Sequence, residues 1–263
     1  MKIVMLDWDG VVVDQEYRPT KDIRVTVQQL LNSEITIVPN SDTPIPRLRR
    51  FCESTLGMTA ETVIGERGAI VAIANRTLRP VYIEGIEQCR EQLTRVFSER
   101  GHAVYVGDST VWVRGKKLFE PNRRIVLIDD LRQQTLSCFL FSTDEQGLPR
   151  VDTIWADEAM ALATTVKLPA GLSPWDYNPT YGIAIANVAD VSKTDGYRLL
   201  RSEYPDAAFF MVGDSDSDII ADESVSHCAV GNATETLKSR ANFVARTPFT
   251  EGLEECLLWI LKS

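Results

Sequence analysis

Two short acidic stretches carry most of the chemistry this chain could perform. Near its start, Asp7-Trp8-Asp9-Gly10-Val11-Val12 sets two carboxylates on either side of one residue, directly behind the apolar run Ile3-Val4-Met5-Leu6. Much later, Met211-Val212-Gly213-Asp214-Ser215-Asp216-Ser217-Asp218 crowds three carboxylates together behind a second apolar run. Carboxylates this close repel one another unless a cation offsets part of the charge. An EF-hand loop beginning at Asp214 fails, because Ile219 stands where that loop needs Gly and Val225 where it needs Glu. An ordinary solvated turn is the competing account of each stretch, since Asp, Ser and Gly favour turns.

The flanking patterns decide where these residues sit. Ile3 to Leu6 has the length and β-branched content of a buried parallel strand, Asp22 to Leu31 has a helical period, and Ile35 to Val38 is a further strand. That is one βαβ unit. Pro44 and Pro46 then introduce a helix that stops near Gly57. In the last third, Thr194 to Tyr204 reads as helix, Ala208 to Val212 as strand, Ile219 to Glu223 as a short helix and Cys228 to Val230 as strand. Thr234 to Lys238, Phe243-Val244 and Gly252 to Leu261 continue the alternation, so both ends of the chain build an α/β fold with a doubly wound parallel sheet.

Such sheets bind ligands at the carboxyl ends of their strands. Asp7 and Asp214 at one edge would make an oxygen site suited to Mg²⁺ held together with a phosphate. Asp7 could then attack phosphorus, while Asp9 protonates the leaving oxygen and later deprotonates water. Ser41 follows the second strand at the same edge, where its hydroxyl and the next amides could hold phosphate oxygens, or where it could simply cap a helix. Lys193 opens a helix, the end at which the macrodipole disfavours a cation, so its placement asks for a compensating anion unless it is merely exposed.

The middle reads differently. Val104 to Val106, Val111 to Val113, Ile125 to Ile128 and Phe139 to Phe141 are strand-like, with turns at Gly107-Asp108 and Arg114-Gly115. Ile86 to Phe97 and Asp157 to Val166 read as helices. We expect an α+β domain over 80–178, inserted between the two parts of the parallel domain at 1–79 and 179–263.

Composition narrows the classes further. The 263 residues carry 28 Lys+Arg against 37 Asp+Glu, a net charge of −9, which lacks the basic footprint of a nucleic-acid binder. No apolar run reaches the ~18 residues a membrane span needs, and the opening segment meets Asp7 too soon for a signal peptide. The expectation is a cytoplasmic protein with no membrane or nucleic-acid partner. Its 5 cysteines have neither zinc nor redox spacing, and 2 histidines rule out an H-E-x-x-H zinc motif.

Taken jointly, these motifs resemble the haloacid dehalogenase (HAD) superfamily of phosphotransferases, and its Cof-like branch with a large cap, similar to phosphoglycolate phosphatase and sucrose-phosphate phosphatase-like members. Asp7-Trp8-Asp9-Gly10-Val11, Ser41, Lys193 and Gly213-Asp214 with Ser217-Asp218 stand in the family's order. Glu66-Arg67-Gly68 resembles the branch's Glu-Asn-Gly, and Val230-Gly231-Asn232-Ala233 its late Gly-Asn-Ala segment. The resemblance implies Asp7 as nucleophile, Asp9 as general acid and base, and Gly10, Ser41 and Lys193 as phosphate binders. It implies a Mg²⁺ cofactor held by Asp7, the Asp9 carbonyl and Asp214, with Asp218 in support, and an inserted domain that closes over the substrate.

Three departures blur the substrate more than the chemistry. Val11 replaces the commoner Thr, Ser41-Asp42-Thr43 stands where many Cof-like members have Thr-Gly-Arg, and Ser217 stands where Asn is usual. The leading expectation is a phosphatase acting on a small phosphorylated metabolite, such as a sugar phosphate or phosphoglycolate. A phosphomutase of the phosphomannomutase type and a non-catalytic phosphate or cation sensor are the alternatives, and the retained Asp9 argues against the sensor. In the inserted domain, Arg114, Lys116, Lys117, Arg123 and Arg124 concentrate positive charge in an acidic chain, either as a substrate-facing surface or as a solvated hairpin.

Overall fold

The computed structural model describes residues 1–109 and 119–263. It divides into two compact units: Met1–Pro80 with Val191–Ser263, and Val81–Asp190.

Strand β1 (Lys2–Leu6) opens the chain, followed by the helix Arg24–Asn32 and β2 (Ile35–Pro39). A helix over Ile45–Phe51 runs on into one π-turn, Cys52–Leu56, which Gly57 ends in the left-handed conformation. Three short antiparallel strands come next: β3 (Thr62–Gly65), β4 (Ile70–Ile73) and β5 (Arg76–Leu78). The sequence pattern does not reveal this small sheet.

The second unit holds β6 (Ala103–Gly107), β7 (Arg124–Asp129), β8 (Leu136–Thr143), β9 (Pro149–Val151), β10 (Asp176–Asn178) and β11 (Ile183–Ala186). They form one sheet in the order β10-β11-β8-β7-β6, with β9 beside β8. Its helices among the described residues include Ile86–Glu99 and Thr153–Ala163, the latter capped by Asp152, whose carboxylate accepts from the Trp155 amide. Because β11 pairs with β8, the second unit extends to Asp190, beyond the boundary expected at residue 178. The strand expected at 111–113 and the turn at Arg114-Gly115 lie outside the described residues.

The chain returns to the first unit through the helix Lys193–Glu203, β12 (Ala208–Gly213), β13 (Val225–Ala229), the helix Glu235–Arg240, β14 (Phe243–Val244) and the helix Phe249–Lys262. The short helix expected over 219–223 is absent. A single 3₁₀ turn, Asp216–Asp218, stands just before it, and Ile219 is already extended.

All pairs in the sheet β14-β13-β12-β1-β2 are parallel. Alternation along β1 sends Val4 and Leu6 to one face and Ile3 and Met5 to the other. The first pair packs with Val27 and Leu30 of one helix and Leu253, Cys256 and Ile260 of another. The second packs with Tyr197 and Leu200. Each fully buried aliphatic side chain contributes about 1.5–3 kcal/mol, so β1 is anchored from both sides. That anchoring fixes the position of the residue that follows it. No helix among the described residues is long and apolar enough to cross a membrane, and all five cysteines are free and buried.

Candidate active site

Register alone brings the acidic stretches together. Leu6 is the Cα partner of both Val212 in β12 and Pro39 in β2, so Asp7, Asp214 and Ser41 emerge at one edge of the sheet. The ladder continues past the strand ends, with the Asp7 amide donating to the Val212 carbonyl at 3.0 Å and the Asn40 amide to the Leu6 carbonyl at 2.8 Å. Behind Asp7, the Val12 amide donates to the Trp8 carbonyl at 2.9 Å and the Gly10 amide to the Val13 carbonyl at 3.0 Å, curling the loop tightly. Trp8 is buried and stacks on Phe51.

Gly10 has a φ of +82°, and a Cβ there would lie 2.2 Å from Asp214 Oδ2. Only glycine lets the two acidic loops come this close.

Lys193 sits at the centre. Its ammonium, 3 % exposed, donates to Asp7 Oδ1 at 2.7 Å and to Asp218 Oδ1 at 2.6 Å. The anion demanded by a lysine at a helix start is therefore a pair of the protein's own carboxylates. The helix start itself is kept in order by Asp195, whose Oδ2 accepts from both the amide and the hydroxyl of Ser192 at 2.9 Å.

Asp218 is wholly buried and fully engaged. Beyond Lys193, its Oδ2 accepts from the Asp214 and Ser215 amides at 3.0 Å and from the Ser215 hydroxyl at 3.1 Å. These bonds wind 214–218 into its 3₁₀ turn and leave no reason for a helix to follow.

One carboxylate oxygen each from Asp7, Asp214 and Asp218 lies within 4.8 Å of the others. Burial, then Asp218, raises the Asp7 carboxyl well above its ordinary range, against the pull of Lys193. Asp214 is pushed up to about 6 by burial and by Asp218, with a further contribution from Asp9. Lys193 is held above its ordinary value because Asp218, Asp7 and Asp42 outweigh the cost of its burial. Ionised together, the three carboxylates carry more negative charge than one lysine offsets, and the raised carboxyls show that cost. Clustered oxygen donors in this state fit a hard divalent cation such as Mg²⁺.

Ser41 is buried but does not cap the helix that follows; Pro44 occupies the cap position. Its Oγ accepts from the Thr43 amide at 3.2 Å, its own amide donates to the Ile64 carbonyl at 3.1 Å, and its carbonyl accepts from the Arg67 amide at 3.1 Å. Gly68, at φ +95°, then meets the helix of Lys193, where a Cβ would lie 2.1 Å from the Ser192 carbonyl oxygen. The turn Glu66-Arg67-Gly68 therefore ties Ser41 to Lys193, a role the motif itself does not disclose. The signal available in the sequence was a glycine directly after two polar residues between apolar runs.

Asp9 is half-buried in the loop after Asp7. Of the basic residues in the inserted segment, Arg123 and Arg124 form surface ion pairs with Glu120 and Glu158 within the second unit. Arg114, Lys116 and Lys117 lie outside the described residues.

A family model described as haloacid dehalogenase-like hydrolase matches residues 4–257. The chain belongs to that family. It is an enzyme of the HAD type, with the family's α/β core. A haloacid dehalogenase-like hydrolase from Bacteroides thetaiotaomicron shares the fold with a TM-score of 0.69 at 14% identity, over 98% of this chain and 99% of that one. A HAD/COF-like hydrolase from Plasmodium vivax aligns with a TM-score of 0.62 at 17% identity, over 100% and 96%. A second Bacteroides thetaiotaomicron protein, described among phosphatases of the haloalkanoate superfamily, aligns with a TM-score of 0.58 at 19% identity, over 98% and 94%. No curated protein sequence matches the chain.

Proposed function

We propose that this HAD-type enzyme is a Mg²⁺-dependent phosphatase that hydrolyses a small phosphorylated metabolite through an aspartyl phosphate on Asp7. The observation that carries the reading is the buried Lys193 bridge between Asp7 and Asp218 at 2.7 and 2.6 Å, with the Asp214 carboxylate in the same cluster. Lys193 engages Asp7 through Oδ1 at 2.7 Å, and the other oxygen of that carboxylate is the nucleophile in this reading.

In the first step Asp7 forms a bond to phosphorus as the ester P–O bond breaks, and Asp9 gives its proton to the departing oxygen. In the second, Asp9 takes a proton from water, whose oxygen bonds to phosphorus as the bond to Asp7 breaks. Inorganic phosphate leaves and the Asp7 carboxylate is restored. Ser41 and the Lys193 ammonium hold the phosphoryl oxygens, while the Gly10 amide, given to the Val13 carbonyl at 3.0 Å, is spent on the curl of the loop. Asp7 and Asp214 with the Asp9 carbonyl would hold Mg²⁺, and Asp218 orders the loop that carries Asp214. When bound, the cation offsets charge that would otherwise oppose two anions meeting in one site.

The test is release of inorganic phosphate from a panel of phosphorylated metabolites, with Mg²⁺ and with EDTA, for the wild type and Asp7→Asn. Turnover should need Mg²⁺, and Asp7→Asn should lose several powers of ten, about the scale of deleting a nucleophile. Full activity in metal-free buffer, or in Asp7→Asn, refutes the reading.

A further inference from the structure

Beyond the acidic cluster, a second set of contacts converges on the loop behind Asp7 and serves none of the roles given so far. Asn232 Nδ2 donates to the Gly10 carbonyl at 2.9 Å, and its Oδ1 accepts from the Phe249 amide at 2.9 Å. The same short segment reaches the other acidic loop through its backbone: the Val230 amide donates to the Gly213 carbonyl at 3.2 Å and the Thr234 amide to the Asp214 carbonyl at 2.8 Å. Thr250, wholly buried, donates from its hydroxyl to the Val12 carbonyl at 2.8 Å and accepts from the Thr20 amide at 3.0 Å. Phe249, between these contacts, has a φ of +50°, a conformation that needs its surroundings to hold it.

We propose that Asn232 is a positioning residue for the reaction at this site, and that Thr250 assists it. Gly10 carries no side chain, and its closeness to Asp214 is set by backbone alone. Fixing its carbonyl from outside fixes the plane of the Gly10–Val11 peptide. The Val12 carbonyl, held by Thr250, fixes the far end of the same curl. Between them the two side chains tie the loop carrying Asp9 to the start of the last helix and to the segment 230–234, whose backbone amides in turn hold the loop carrying Asp214. Asp9 must sit within hydrogen-bond reach of the group it protonates, so freeing this loop costs rate before it costs stability.

This inference rests on the phosphatase reading, and its test keeps the two apart. Asn232→Ala and Thr250→Val are compared with Asn242→Ala, whose side-chain oxygen accepts a similar bond from the His227 amide of β13 at 2.9 Å, a bond that does not touch the Gly10 loop. Each is assayed with p-nitrophenyl phosphate and Mg²⁺, and amide hydrogen exchange is followed over 8–13. Asn232→Ala and Thr250→Val should each lower kcat about tenfold or more with KM nearly unchanged, and speed exchange at Gly10 to Val13. Asn242→Ala should keep kcat. Wild-type kcat in Asn232→Ala overturns the proposal, as does an equal loss in Asn242→Ala. Should the wild type hydrolyse no phosphate ester, the phosphatase reading fails by itself. Exchange over 8–13 then decides, and an unchanged rate in Asn232→Ala overturns the positioning role.

Discussion

Lys193→Met removes one charge and leaves a side chain of similar length between two buried carboxylates. Coulomb's law at an effective dielectric of about 20 gives roughly 6 kcal/mol for each contact at the observed separations. Most of that is offset by the cost of keeping three charged groups from water, and breaking a buried pair typically costs about 3–5 kcal/mol. Against a usual domain stability of about 5–15 kcal/mol, a loss on that scale should be plain in urea unfolding followed by tryptophan fluorescence in EDTA. The pH dependence is more diagnostic. The Asp7 carboxyl is already raised in the folded protein, and losing Lys193 must raise it further. A carboxyl raised on folding destabilises only once pH exceeds its unfolded value of about 3.9, increasingly so up to its folded value. The gap between wild type and variant should therefore be wider at pH 8 than in acid, and narrow as pH falls toward the unfolded value. Equal stability at pH 8, or a gap that widens in acid, refutes the charge argument.

Three further outcomes follow from the same geometry. Asp9→Asn should slow turnover by about 10²–10⁴, the usual worth of general acid–base help, yet leave Mg²⁺ affinity in calorimetry nearly unchanged; loss of Mg²⁺ binding refutes ligation through the backbone carbonyl alone. With the Asp214 carboxyl at about 6 in the metal-free protein, protons compete with Mg²⁺, so affinity should fall up to about tenfold per pH unit below that value; a flat calorimetric profile from pH 7.5 to 5 counts against Asp214 as a ligand. Gly68→Ala must relieve a 2.1 Å approach to the Ser192 carbonyl oxygen at a positive φ, and should destabilise by about 1–3 kcal/mol or more while raising KM, because the Ser41 turn and the Lys193 helix are pushed apart. Wild-type stability and KM in that variant would mean the two segments are not coupled.

What was legible in the sequence follows from what strands make visible. Ile3 to Leu6 and Ala208 to Val212 are unbroken apolar runs, and their ends announce where Asp7 and Asp214 stand. The small sheet over 62–78 is hidden because strands of three or four residues, buried on both sides in β3 and β4, show no period that separates them from helix. The misplaced helix at 219–223 has a different cause. Ile219 and Ile220 suggest an amphipathic turn, but Asp218 spends its carboxylate on the amides of Asp214 and Ser215, which winds the chain one step earlier. Side chains bonded to backbone amides leave no periodic trace. The second unit runs on to Asp190 for a related reason, since the pairing of β11 with β8 is a long-range fact that no local pattern carries. Lys193 was readable as a cation in want of an anion, although the carboxylates that answer it come from segments far apart in the chain.

The division of labour among the acidic residues can be argued from their partners. Asp218 has both oxygens occupied, by Lys193 on one side and by two amides and a hydroxyl on the other. Its charge is matched, and moving it toward a cation would unwind the loop it holds. Asp7 and Asp214 differ: burial and neighbouring carboxylates push both upward, and Lys193 offsets this only in part. These two hold the unmatched charge of the cluster. Mg²⁺ commonly takes one or two carboxylates and completes its shell with waters and substrate oxygens. A pair left electrostatically unsatisfied beside a third that is saturated suits the cation site we propose, with Asp218 ordering the loop instead of ligating.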